Sequence, residues 1–84
     1  PEHNPQVTAE NMKKFSIRLK AARQLRGFET AAEFARHIKM DVHTYRHWEA
    51  ARACPDIHSL LTLCKALDVE PNELLPFNRQ SVAA

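Results

Sequence analysis

Residues 42–49 read VHTYRHWE, and His43, Thr44, Arg46 and His47 put four hydrogen-bond donors into one short segment with no acidic residue among them. A guanidinium presents a fork of donors that fits two acceptors at once, and a neutral imidazole can donate or accept. Such groups suit base edges or phosphate oxygens. His43 and His47 also stand four apart, a spacing that can hold a metal ion on a helix. No Cys, Asp or Glu lies in register to add a third ligand, so no metal is expected. Catalysis finds no support either. Ser16, Ser59 and Ser81 lack a glycine elbow, the carboxylates are scattered, and the single glycine, Gly27, rules out a Gly-rich phosphate loop. No enzyme activity and no cofactor are expected.

The elements that must position these donors are legible in periodicity. Val42, Tyr45 and Trp48 recur every three residues, one apolar face of a helix that leaves the donors outward. Asp41 is its expected cap. Upstream, Ala31, Phe34, Ala35 and Ile38 fall at i, i+3, i+4 and i+7, with Thr30 as N-cap and Glu33 completing a T-x-x-E capping box. Met40 is the large apolar residue of the turn between the two segments. Two short helices joined this way present the second to the DNA major groove while the first holds it. The expected base-contacting residues are Val42, shared with the packed face, and His43, Arg46 and His47. Arg46 suits guanine or, about equally, a phosphate. Thr30, Lys39, Thr44, Arg52 and Arg23 are the expected phosphate contacts. Tyr45 and Trp48 could stack on single-stranded bases, but their shared face with Val42 assigns them to the core.

The remaining segments complete an all-α chain. A long first helix is predicted over residues 8–26, capped by Thr8 and ended by Gly27. Its inward stripe is Met12, Phe15, Leu19 and Ala22, flanked by Ile17, Ala21 and Leu25, with Lys13, Lys14, Arg18, Lys20 and Arg23 outside. Asp56 caps a fourth helix whose stripe is Ile57, Leu60, Leu61, Cys64 and Leu67. Pro71 opens a short fifth helix bearing Leu74 and Leu75. This is a compact bundle of five short helices in one domain at residues 9–76, with an arm at 1–8 and a tail at 77–84. No apolar run is long enough for a membrane span, and no signal segment opens the chain. Residues 1–54 carry 10 Lys/Arg against 6 Asp/Glu, a balance of +4, whereas residues 55–84 carry 2 against 4, a balance of −2. The basic half holds the two-helix motif, as a polyanion partner requires. Cys54 and Cys64 are expected to be free thiols.

Residues 18–75 resemble the lambda-repressor-like (Cro/cI-type, XRE) helix-turn-helix family. The resemblance rests on RLKAARQLRGF, TAAEFARHIKMD, VHTYRHWE and SLLTLCKALDVEPNELL, with Arg23, Gly27, Ala35, Ile38, Trp48, Glu49 and Pro55 in order. It implies a bacterial or phage transcriptional regulator of repressor type that binds double-stranded operator DNA as a homodimer in the cytoplasm at the nucleoid. It also implies an ion pair between Arg23 and Glu49. Lys39 stands where the family often has Gly, and Ala50-Ala51 where it has Asn-Gly; Ala31 replaces a phosphate-bonding Gln. The dimer surface is expected around the fourth and fifth helices, with Leu74, Leu75 and Phe77. The other class of function is an antitoxin-like or adaptor module with a protein partner. That class predicts acidic or apolar residues where His43, Thr44, Arg46 and His47 stand.

Overall fold

The computed structural model describes residues 9–76, which form five helices: α1 (Ala9–Leu25), α2 (Ala31–His37), α3 (Val42–Glu49), α4 (Ile57–Leu67) and α5 (Pro71–Leu74). The expected arm with Thr8 and the tail with Phe77 lie outside the described residues. Side-chain caps begin three of the helices. Thr30, Asp41 and Asp56 accept the backbone N–H of Glu33, Thr44 and Ser59 at 3.1, 2.9 and 2.8 Å, which satisfies donors that a helix start leaves unpaired. The reciprocal half of the expected capping box is displaced. Glu33 accepts the N–H of Glu29 at 3.3 Å, one residue before the cap.

One stop is used four times. After α1, Gly27 N–H bonds Gln24 O at 3.0 Å and Phe28 N–H bonds Arg23 O at 3.2 Å, the paired bonds of a Schellman ending. The same pairs close α2 (Lys39 to Arg36, Met40 to Ala35), α3 (Ala51 to Trp48, Arg52 to His47) and α4 (Asp68 to Lys65, Val69 to Cys64). Each needs a residue with left-handed φ. These are Gly27 at 93°, Lys39 at 58°, Ala51 at 62° and Asp68 at 59°. Only the first is glycine. Short helices ending in sharp turns let the chain reverse within a few residues and bring α2, α3 and α5 against α1.

The core is Phe15 and Leu19 of α1, Phe34 and Ala35 of α2, Tyr45 and Trp48 of α3, Leu60, Leu63, Cys64 and Leu67 of α4, and Leu74 of α5. Phe28, Phe34, Tyr45 and Trp48 form a run of edge-to-face contacts with centroids 5.1, 5.4 and 5.9 Å apart, the geometry ring quadrupoles favour. Met40 packs partly buried against this core, plugging the angle between α2 and α3. At the far end Arg18 donates to the Leu75 carbonyl at 3.0 Å, tying α1 to the end of α5.

Two apolar stripes differ from the sequence reading. On α1 the residues beside Phe15 and Leu19 are Ser16 and Arg23, both buried, while Ile17, Ala21 and Leu25 face solvent. Ser16 tolerates burial by donating to Lys13 O at 2.7 Å. Arg23 therefore leaves the outer face where its charge had placed it. On α4, Leu63 is buried and Leu61 is not, and Ile57 is exposed in the first turn. Cys54 is exposed, Cys64 is buried, and both are free.

Candidate nucleic-acid interface

The phase of α3 follows from its first residue. Asp41 accepts both the N–H and the hydroxyl of Thr44, at 2.9 and 3.1 Å. The hydrogen bond from the Thr44 backbone, more than any other influence, holds the Asp41 carboxyl below the ordinary carboxylate range. With the helix begun at Val42, Tyr45 and Trp48 turn into the core and Val42 packs half-buried at its edge. His43, Thr44, Arg46 and His47 are left exposed. At 100° per residue, His43, Arg46 and His47 share an arc of about 100°.

Behind that face sits a buried polar lock. Arg23, 3% exposed, donates through Nε to Glu49 Oε2 at 2.7 Å and through Nη2 to Glu49 Oε1 at 3.2 Å. Its Nη1 donates to the Phe28 carbonyl at 2.8 Å. The Tyr45 hydroxyl donates to the same Glu49 Oε2. Together these bonds join α1, the loop after it and both ends of the second half of α3. Burial works against the Arg23 charge, but the Glu49 hydrogen bond and carboxylate outweigh it and raise its pKa. Burial, and then the bond to Glu49, push the Tyr45 phenol well above its usual range, which keeps it a donor. Among the described residues no buried side-chain nitrogen or oxygen lacks a partner, as a buried charge pair requires.

The structure does not place the expected contact residues alike. His43, Arg46 and His47 lie together on the open face of α3. Lys39, in the turn before α3, Arg52, in the turn after it, and Thr30, at the start of α2, are exposed. Thr44 is exposed with its hydroxyl given to Asp41. Arg23 does not belong with them. It faces inward with three nitrogens engaged, and a phosphate could reach it only by displacing Glu49 or the Phe28 carbonyl. Val42, a quarter-turn from the open face, spends much of its surface on the core.

Sequence reasoning missed two parts of the lock, the Tyr45 hydroxyl and the Phe28 carbonyl. The first had a signal, because Tyr45 and Glu49 are four apart on one helix and such pairs meet. The second had none, since a backbone carbonyl in an irregular loop leaves no mark in residue types.

No curated protein and no solved structure matches the chain. A family model described as Helix-turn-helix matches residues 19–74, well over half of its length. That span begins in the middle of α1, ends with α5, and contains the capped helix pair, the sharp turn between them and the buried Arg23–Glu49 clamp. On this match and this architecture together, the chain belongs to the lambda-repressor-like (XRE) family of helix-turn-helix DNA-binding transcription regulators.

Proposed function

We propose that this regulator reads a specific double-stranded site by laying α3 in the major groove, acts as a repressor, and binds as a homodimer. The observation that carries the reading is the open face of α3, where His43, Arg46 and His47 stand exposed with no acidic residue among them. Arg46 is the reader of guanine, His43 and His47 contact base edges beside it, and Val42 touches a base at the groove's edge. Lys39, Arg52, Thr30 and Thr44 hold phosphates on either side. Occupying the site excludes other proteins from it, which is repression. Such a protein works in the bacterial cytoplasm on the nucleoid.

One short helix reads about four to five base pairs, too few to select a genomic site, so two copies about one helical turn apart are needed. The surface for the second copy is the exposed pair Ile57 and Leu61 on α4, 70% and 54% exposed, with half-buried Leu75 beside α5. Leu74, expected at this surface, is 1% exposed and belongs to the core instead.

The adaptor reading predicts acidic or large apolar residues on the open face of α3, and none stands there. A fluorescence titration with random duplex at two salt concentrations, followed by sedimentation on the tightest site, tests the proposal. Salt-sensitive binding and a two-to-one complex support it. Salt-independent or absent binding contradicts it, and a monomer both free and on its preferred DNA removes the dimer.

A further inference from the structure

The face of α1 turned away from the core carries Ile17 at 60% exposure, exposed Ala21 and Leu25 at 87%. Residues four apart are neighbours on a helix surface, so these three make an apolar strip about 12 Å long that winds through about 80°. Cations border it on both sides. Lys20 lies along one edge, Lys14 and Arg18 along the other, and Lys13, four residues before Ile17, closes the N-terminal end. Glu10 is the single acid near the strip and pairs with Lys14 at 3.6 Å. Arg18 is bound to a neutral carbonyl, that of Leu75, so its charge is held in place but not cancelled. The helices packed on α1, namely α2, α3 and α5, meet its other side, where Phe15, Leu19 and Arg23 are buried.

We propose that this outer face of α1 docks an amphipathic helix of a partner protein, one whose apolar stripe is flanked by Asp or Glu. Burying Ile17 and Leu25 supplies the attraction, and the flanking cations select the partner's charge. A second copy of this chain is the wrong occupant. A two-fold axis through α1 would set lysines against lysines, and like charges at such a seam are unfavourable. Duplex DNA is also wrong, because the aliphatic strip would meet phosphates and gain nothing. This surface is separate from the open face of α3 and from the α4 pair, and it does not depend on the DNA reading.

The test uses the full chain labelled with ¹⁵N and two synthetic helical peptides that share a leucine stripe, one with Glu flanks and one with Lys flanks. The Glu-flanked peptide is expected to shift the amides of Ile17, Ala21 and Leu25 selectively, with the Lys-flanked twin at least about tenfold weaker. The double variant Ile17→Ser, Leu25→Ser should lose the response while its melting curve stays close to that of the parent, since both positions are exposed. Equal response to the two peptides, shifts centred on Ile57 and Leu61, or no response overturns the proposal. Two further results also overturn it. One is selective shifting of the strip by vesicles containing anionic lipid with no response to the peptide. The other is nuclear Overhauser contact, in the free protein, between the Ile17 and Leu25 methyls and residues 77–84.

Discussion

Glu49 Oε2 receives both Arg23 Nε and the Tyr45 hydroxyl, so one oxygen decides how α3 is held against α1. Replacing Glu49 by Gln leaves the Arg23 charge buried and only half partnered. Removing one member of a buried pair costs about 3–5 kcal/mol at full burial, and thermal unfolding should show a loss approaching that size. Unchanged melting would deny the lock its structural role. Tyr45→Phe keeps the ring contacts with Phe34 and Trp48 and deletes only the hydroxyl. It should cost about 1–2 kcal/mol, the worth of a hydrogen bond to a charged group. It should also weaken DNA binding at temperatures where the variant is still fully folded, because Glu49 is then held by Arg23 alone. On the open face the logic reverses. Arg46 touches nothing that folding needs, so Arg46→Ala should leave melting unchanged and lose about 1–3 kcal/mol on the preferred duplex. Equal losses on preferred and random duplex would make Arg46 a phosphate contact. These roles were readable in part from residue types. Exposed donors and a buried Arg–Glu pair follow from periodicity and resemblance, whereas the triple sharing of Glu49 depends on side-chain rotamers that spacing does not fix.

At the scale of the elements, four helices end on the same hydrogen-bond pattern and three of the left-handed positions carry a side chain. Asp tolerates that conformation, but Ala51 has no polar group with which to compensate. Ala51→Gly relieves the strain and gives some of it back through a more flexible unfolded chain. A net gain of up to about 1 kcal/mol is expected, read as a higher Tm, and a lower Tm would show that Ala51 is not strained. The N-caps add a pH dependence. Hydrogen bonds from Thr44 and Ser59 hold the Asp41 and Asp56 carboxyls below their ordinary value of 3.8. Their capping contribution is therefore complete above the unfolded pKa and is lost as pH falls through the lower folded pKa. Melting followed from neutral pH to below about 4 should decline, and the double variant Asp41→Asn, Asp56→Asn, which keeps cap acceptors, should decline less. An identical decline would assign the acid sensitivity elsewhere. Helix number, order and three caps were legible in the sequence because each has a local signature. The faces of α1 and α4 were only partly legible. Relative to Leu19, Ile17 lies about 200° around the helix and Ser16 and Arg23 within about 60°. Hydrophobicity argued for Ile17, but geometry and the available hydrogen-bond partners put Ser16 and Arg23 inside.

The proposed tasks fall on different parts of the molecule's surface. The basic half of the sequence supplies α3 and its flanking cations, and the more acidic half supplies α4 and α5. Among the described residues the exposed large aliphatic side chains, Ile17 with Leu25 and Ile57 with Leu61, lie on different helices, so the proposed partner helix and the proposed second copy need not compete. Among the described residues no helix is long and apolar enough to cross a membrane. Family membership and the all-helical core were visible from sequence because both rest on repeated local patterns. The surface proposed for a second copy was not, since it turns on which aliphatic residues the core leaves uncovered. The central claim, that two copies of α3 read a specific duplex, is tested most directly by selecting bound duplexes from a random pool. The selected site and a random duplex are then titrated at one fixed salt concentration. The account predicts convergence on a two-fold symmetric sequence with half-sites about one helical turn apart, bound at least about 10³-fold more tightly than random duplex. A pool that fails to converge, with equal affinity for every duplex, would contradict it.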